Sequence, residues 1–242
     1  MSELWNGFRL ERLTFEEHDA LVVIPDQPDA KRRLAVKTEY WDAFPEAIEI
    51  DLVKQGFHLC YIKNDGRWGA PANMERKARF IRFVQETYGL CDTCVPVGMS
   101  CGGLQAVKLA GYHPELVSCL YLDAPALNLY SCPCAYGRAE PRPAIVAEMM
   151  KDLGIKTVSE LICYRDMPMH HLPTLAAHRI PAVVVAGGHD HLVPYEENGG
   201  LLEQEYTAAG VDLQVHIKPG CDHHPHGLED NTPVLNFILK HS

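Results

Sequence analysis

The stretch VPVGMSCGG at residues 95–103 decides the fold, because it places a Gly-x-Ser-x-Gly motif directly between a short apolar strand and an amphipathic helix. Ser100 stands at the centre of the motif, with Gly98 and Gly102 two residues away on either side. Glycines at these positions permit a sharp turn, because they have no Cβ atom to clash. Such a turn exposes the Ser100 hydroxyl and directs the backbone N–H of Cys101 towards a developing oxyanion. The sequence therefore predicts that Ser100 is a nucleophile.

Around this motif, short apolar runs alternate with amphipathic stretches along the chain. This alternation is typical of an α/β fold, a mostly parallel central sheet with helices on both faces. The length of 242 residues favours a single domain over residues 1–242. Strands are predicted at 8–15, 20–25, 57–62, 95–98, 117–122, 182–186 and 213–217. Helices are predicted at 43–54, 73–88, 101–111, 195–209 and 232–240.

One segment, residues 124–180, interrupts the alternation of strands and helices. It carries several prolines, four methionines and the pair His170 and His171, and its pattern is mostly helical. Ordering so long a segment between two core strands costs conformational entropy, so such segments are more often functional than decorative. We therefore expect a small helical cap inserted within the domain. A structural elaboration with no contact to substrate is the alternative.

Composition excludes several classes of protein and partner. Hydrophobic residues make up 47% and charged residues 22% of the chain, which is typical of a globular protein and not of a disordered one. The 32 acidic residues against 22 Lys and Arg give a formal charge of −10, which would repel nucleic acid. No apolar run suits a membrane span or a signal peptide. Nine cysteines, an odd number, favour a reducing compartment, so we predict a cytoplasmic protein.

A serine nucleophile needs a base, and the base needs an acid to orient it. The sequence GGHDHLVP at 187–194 places Asp190 after a predicted strand, and KPGCDHHPHG at 218–227 places three histidines after the next strand. Asp123, which follows the strand at 117–122, is the rival acid. Adjacent histidines in one turn cannot all face the serine, so one of them serves as base. The candidates, in order of preference, are His223, His224 and His226.

The GMSCGG turn, the GGHDHLVP loop and the CDHHPHG loop together resemble the α/β-hydrolase superfamily of serine hydrolases over nearly the whole chain. The segments KTEYWDAFP at 37–45 and HHPHGLEDNTPVLNFI at 223–238 also resemble a subgroup of esterase-like bacterial hydrolases that mostly lack an assigned substrate. The resemblance implies that Ser100 is the nucleophile, Asp190 the acid and His223 the base. Two departures from the family pattern stand out. Asp222 occupies the place of a small residue before the histidine, and no His-Gly pair follows the strand at 20–25.

The second departure bears on the oxyanion hole, which needs two donors. Cys101 supplies one backbone N–H, and Gln27, after the strand at 20–25, is expected to supply the other. Lys37 and Thr38 in the next segment are the alternatives. For substrate contacts we predict Trp68 together with Met99 and His224.

A metal site is the competing chemistry, since His189, Asp190 and His191 precede the histidine cluster in the chain. None of these residues has a recognised metal-ligand spacing. Two cysteine pairs, Cys91 with Cys94 and Cys132 with Cys134, fall at opposite ends of predicted parallel strands and cannot share one zinc ion. We therefore predict that the protein uses no metal and no cofactor.

The sequence predicts a hydrolase that cleaves a carboxylic ester of a small or medium molecule through an acyl-enzyme on Ser100. Amide or thioester cleavage by the same residues is one alternative. A ligand-binding protein of the same fold without catalysis is the other. The sequence does not predict an oligomeric state.

Overall fold

The computed structural model describes residues 3–41 and 47–242. Within them nine strands form one sheet in the order β1-β2-β3-β5-β4-β6-β7-β8-β9. The first three strands run antiparallel to their neighbours, and the six from β5 to β9 run parallel. The strands are β1 Glu3–Trp5, β2 Phe8–Phe15, β3 His18–Ile24, β4 Leu34–Lys37, β5 His58–Ile62, β6 Cys94–Met99, β7 Leu120–Asp123, β8 Ala182–Gly187 and β9 Leu213–Lys218.

Eight α-helices are found in the described residues, and they cover both faces of the sheet. Helices α1 and α8 pack on one face, while α2, α3, α6 and α7 pack on the other. Strand β8 shows why both faces are apolar, because Val184 packs on one side and Val183 and Val185 on the other. The helices are α1 Ala47–Lys54, α2 Pro71–Tyr88, α3 Cys101–Tyr112, α4 Pro143–Asp152, α5 Val158–Cys163, α6 Leu172–Ala177, α7 Gly199–Ala209 and α8 Thr232–His241.

This architecture confirms the predicted fold class, and each predicted strand and helix has a counterpart. Two strands went unpredicted: β1, which has three residues, and β4, whose four residues follow the charged run at 31–33. Both are too short to show a period. The predicted helix at 43–54 appears from Ala47, and residues 43–46 lie outside the described residues. The predicted helix at 195–209 begins as a short 3₁₀ turn, and α7 starts at Gly199.

Residues 124–180, which we call the insert, contain α4, α5 and α6 between strands β7 and β8. A third apolar cluster joins the insert to the body of the domain. Met149 and Met167 of the insert are fully buried there against Leu104 of α3 and the indole of Trp68. The insert therefore packs against the N-terminal part of α3. Its action as a cap over substrate stays a prediction.

An ion pair between α3 and the insert reinforces this packing. Lys108 is buried on α3, and its Nζ lies 2.6 Å from Oδ2 of Asp166. The other oxygen of Asp166 lies 2.8 Å from Nε2 of His171. Burial alone would raise the pKa of Asp166, but its hydrogen bonds to His171 and Lys108 hold that pKa well below its usual range. The charged carboxylate is thus the form that the folded insert stabilises.

Asp166→Asn is expected to destabilise the protein by about 3 kcal/mol, because it leaves the buried Lys108 ammonium without a countercharge. Urea unfolding at neutral pH measures this loss. Because the folded pKa of Asp166 is lowered, its contribution is complete above the unfolded pKa of about 3.9 and declines as the pH falls below it. Glu115→Gln, which removes a surface partner of Arg82, is the control and should change stability little. Equal unfolding midpoints for the two variants would contradict a structural role for Asp166.

Candidate active site

Ser100 lies in a tight turn between β6 and α3, with backbone φ of +52° and ψ of −119°. This region is rarely adopted by residues with a side chain and costs on the order of 1–3 kcal/mol. Its N–H donates to the carbonyl of Asp123 at 2.8 Å, and its own carbonyl accepts from Ala126 at 3.2 Å. A Cβ atom on Gly98 would lie 2.4 Å from the Gly102 carbonyl group, so only glycine fits there. The motif glycine thus makes room for the strained turn.

His223 lies between Ser100 and Asp190. Its Nε2 lies 3.2 Å from the Ser100 Oγ, and its Nδ1 lies 2.7 Å from Oδ2 of Asp190. The fully buried Asp190 carboxylate uses its other oxygen to accept the N–H groups of Leu192 and Val193, at 2.9 and 2.7 Å. A carboxylate fixed in this way accepts the Nδ1 proton and leaves Nε2 free to accept the Ser100 proton.

The structure therefore brings together the three residues predicted as nucleophile, acid and base, and their catalytic roles stay predictions. The unusual Asp222 before His223 has a local task in the turn. Its Oδ1 accepts the N–H of His191 at 3.0 Å and that of His223 at 2.7 Å. These backbone hydrogen bonds also hold the pKa of Asp222 below its usual range. Asp222 thus links the two loops that carry Asp190 and His223.

Asp123, the rival acid, has a different histidine as its partner. Its Oδ1 lies 2.9 Å from Nδ1 of His226, and both side chains are almost fully buried. Its Oδ2 accepts from the Tyr121 hydroxyl at 3.1 Å and from the N–H of Gly227. A second carboxylate–histidine pair thus lies beside the first, with the His226 ring in edge contact with His223 at a centroid distance of 4.9 Å. Asp123 therefore anchors the histidine loop to the end of β7.

The prediction that Gln27 is an oxyanion donor is wrong. Strand β3 runs antiparallel to β5, so the loop after β3 lies at the opposite edge of the sheet from Ser100. The Gln27 carbonyl is close to Gly56, which precedes β5. Strand β4, in contrast, runs parallel to β6, so the residues after β4 reach the edge where Ser100 lies.

The segment after β4 packs against the start of α3. The backbone N–H of Thr38 donates to Val97 at 3.1 Å, and its hydroxyl donates to the Gly102 carbonyl at 2.7 Å. Lys37 points elsewhere and forms a buried ion pair with Glu49. The Thr38 N–H, the Thr38 hydroxyl and the Lys37 ammonium thus already have partners within the protein. The Cys101 N–H lies in the first turn of α3, where helix N–H groups have no intrahelical acceptor.

A cavity of about 410 Å³ contains Ser100 and His223 in its wall. It includes all three residues predicted to contact substrate, and the insert contributes four more that the sequence did not indicate. A larger, more open cavity of about 610 Å³ lies beside β2 and β3. Its wall contains none of Ser100, His223 and Asp190. The cavity's remaining wall is formed by Tyr40, Arg67, Trp68, Met99, Cys101, Cys132, Pro133, Arg142, Ile145, Leu192, Val193, His224 and His226.

Two thiols in this wall are poor competitors for the serine. Burial raises the pKa of Cys101 to about 11 and that of Cys132 to about 12. At neutral pH both are therefore protonated thiols, which are weak nucleophiles. Within residues 3–41 and 47–242, no three cysteines approach closely enough to share a metal ion.

Trp68 carries two contacts that fix its position in the cavity wall. Its indole Nε1 donates to Glu148 of the insert at 3.0 Å, and its backbone N–H donates to Asp152 at 3.1 Å. Arg67 beside it forms two hydrogen bonds of 2.8 Å with the same Glu148 carboxylate. The loop after β5 is therefore held against α4, and Trp68 is only 2% exposed.

No family model matches the chain. It is 24% identical over 211 residues to a thermostable monoacylglycerol lipase from Bacillus sp. (strain H-257), covering 78% of this chain and 82% of the lipase. Among solved structures it resembles dipeptidyl peptidase 4 from Porphyromonas gingivalis, with a TM-score of 0.68, 14% identity and 96% of this chain covered. An acylaminoacyl peptidase from Pyrococcus horikoshii gives a TM-score of 0.70 at 12% identity over 89% of this chain.

The chain spans 35% and 38% of the lengths of these two peptidase chains. These similarities, with the nine-stranded sheet and the turn at Ser100, confirm the predicted α/β-hydrolase resemblance. None of the described helices is both long enough and apolar enough to cross a lipid bilayer.

Proposed function

We propose that this chain, which has the α/β-hydrolase fold, is a serine hydrolase that cleaves carboxylic esters by acyl transfer through Ser100. The observation that carries the proposal is the position of His223, with one ring nitrogen 3.2 Å from the Ser100 Oγ and the other 2.7 Å from Asp190. Serine is a weak nucleophile until a base within hydrogen-bond reach accepts its proton. The strained backbone of Ser100 serves to present its hydroxyl to that base.

The reaction proceeds in two similar halves. Nε2 of His223 accepts the Ser100 proton as Oγ attacks the ester carbonyl carbon, and the imidazolium is stabilised by Asp190. Collapse of the tetrahedral intermediate breaks the bond to the alcohol, which leaves with the proton from His223. Water then attacks the acyl-enzyme with the same base, and the acid is released as Ser100 regains its proton. No cofactor takes part.

The oxyanion of each tetrahedral intermediate needs two backbone donors. We assign one to the N–H of Cys101, at the positive end of α3. The other comes from residues 39–40, because the two hydrogen bonds of Thr38 hold that segment against the first turn of α3 and Tyr40 lines the cavity. The sequence predicted the Cys101 donor, but it put the second donor after β3, at Gln27, and named Lys37 and Thr38 at the end of β4 only as alternatives.

Two considerations favour an ester substrate. The Bacillus relative, of whose length this chain covers 82%, is named a monoacylglycerol lipase. The cavity of about 410 Å³ has a size that suits a small or medium ligand. The two solved structures reported above are both peptidases. Amide cleavage is the second candidate, and it is favoured by those structural neighbours.

A substrate series separates the two candidates. Initial rates are measured for p-nitrophenyl esters of increasing acyl length, for short-chain monoacylglycerols and for matched p-nitroanilides. The proposal predicts ester turnover with kcat/KM highest at short or medium acyl length and little or no anilide cleavage. Faster cleavage of the anilides would instead assign an amidase. Ser100→Ala protein, assayed in parallel, accounts for background hydrolysis.

A cytoplasmic location and a small-molecule partner stay predictions. The chain has nine cysteines, none of which is in a disulfide bond among the described residues.

A further inference from the structure

Three imidazoles converge at the wall of the cavity. The rings of His223, His224 and His226 contact one another edge to face, with centroid distances between 4.7 and 5.0 Å. One ring nitrogen from each of the three lies within 4.8 Å of those from the other two. Imidazole nitrogen is a preferred ligand of zinc and its neighbouring transition metals, and three such nitrogens form a sufficient protein shell.

Two of these imidazoles are held as metal ligands usually are. Asp190 lies 2.7 Å from Nδ1 of His223, and Asp123 lies 2.9 Å from Nδ1 of His226. A ligating histidine commonly donates its second ring N–H to a carboxylate, which fixes the tautomer and makes the free nitrogen more basic. In both residues this leaves Nε2 as the nitrogen that offers its lone pair. One carboxylate–histidine pair transfers protons in the proposed hydrolysis, and the second pair takes part in none of those transfers.

The third imidazole is free to complete the site. His224 is exposed, and no hydrogen bond from its ring is found among the described residues. A zinc ion bound at about 2.1 Å from each nitrogen needs ligands roughly 3.4 Å apart, so the nitrogens must approach by a small amount. Rotation of the exposed His224 side chain and small shifts of the other two rings can supply that movement, while each of those rings keeps its Nδ1 on its carboxylate. Water from the cavity supplies a fourth ligand.

We propose that His223, His224 and His226 bind a divalent transition-metal ion such as Zn²⁺, and that the bound ion reversibly inhibits the hydrolase. Inhibition rests on the proposed function, because the ion takes the His223 Nε2 lone pair that would otherwise accept the Ser100 proton. The two acidic partners, Asp123 and Asp190, balance the charge of the ion. Metal binding itself depends only on the three imidazoles.

Isothermal titration calorimetry with zinc chloride tests binding without any assay of hydrolysis. Ser100→Ala protein is expected to bind one zinc ion per chain. His224→Ala and His226→Gln, each added to that background, should weaken binding at least about tenfold, and Asp123→Asn should weaken it about 10- to 100-fold through His226. His178→Ala removes an exposed histidine of the insert and should bind as tightly as the parent.

Inhibition is measured separately on the Ser100-containing protein, with the inhibition constant of zinc determined for an ester substrate and reversal tested with EDTA. Each variant's inhibition constant should rise in step with its weaker zinc binding. If His224→Ala and His226→Gln bound zinc as tightly as the parent, the proposed metal site would be overturned. Full hydrolytic activity at saturating zinc would overturn the inhibition while leaving the hydrolase intact. If the parent protein had no esterase activity but zinc binding was still weaker in these variants, the proposed function would be overturned and the metal site would stand.

Discussion

Ser100→Ala is expected to lower kcat for a p-nitrophenyl ester by about a million-fold, because it removes the only group that forms the acyl-enzyme. The fold should survive the change. Alanine keeps the Cβ atom, so it meets the same backbone strain at φ +52° as serine, and no core cavity opens. Steady-state kinetics measures the loss of activity, and thermal unfolding measures the retention of structure.

Ser118→Ala is the matched control for this variant. Its hydroxyl donates to the Cys94 carbonyl at 3.1 Å, at the edge of the sheet where β6 begins. Removing that hydrogen bond should cost about 1 kcal/mol of stability and leave kcat unchanged. If Ser100→Ala retained more than about a hundredth of the parent kcat, the acyl-enzyme mechanism would have to be abandoned.

Asp190→Asn should lower kcat by about ten thousand-fold, because an amide does not hold the His223 proton on Nδ1 or stabilise the imidazolium. The change is nearly isosteric. One oxygen can still accept the N–H groups of Leu192 and Val193, so the loop should keep its shape. Kinetics at saturating substrate, with a circular dichroism spectrum to verify folding, gives the measurement.

Asp123→Asn is the comparison that makes the Asp190 result specific. Asp123 contacts His226 and Gly227 and not His223, so its loss disturbs the position of the histidine loop without removing the acid. Misplacement of that kind costs at most about a hundredfold in kcat. If Asp123→Asn were the inactive variant and Asp190→Asn retained most activity, the acid would follow β7 instead of β8.

The elements near the nucleophile could be predicted because their signals are local. The turn at Ser100 requires glycine at 98, and the acid and histidine loops follow strands whose apolar runs are visible in the sequence. The resemblance of these three motifs, in this chain order, to those of α/β-hydrolases implied that Ser100, Asp190 and His223 share one site. Parallel strands then bring the three loops to a common edge.

What the sequence did not reveal depends on strand direction and on distant partners. Gln27 follows an apolar strand just as Asp190 does, but β3 runs antiparallel and carries it to the far edge. Strand β4 has four residues and shows no period, so it was not predicted, and Lys37 and Thr38 at its end were named only as alternative donors. The pairing of Asp123 with His226 joins residues 103 positions apart in sequence, and no spacing rule predicts it.

The insert shows the same limit. The sequence predicted a mostly helical segment at 124–180, and the structure has α4, α5 and α6 within it. Its contribution of Cys132, Pro133, Arg142 and Ile145 to the cavity is set by tertiary packing on Trp68 and Leu104. Residues that meet only when separate elements pack leave no local signal in the chain.

The most direct test of the account is covalent labelling with a fluorophosphonate, followed by intact mass measurement and peptide mapping. This reagent requires an activated serine, because the hydroxyl must lose its proton to attack phosphorus. The account predicts one adduct per chain on Ser100, none on Ser100→Ala and strongly slowed labelling of Asp190→Asn. Folded parent protein that takes up no label, or an adduct on any residue other than Ser100, would contradict it.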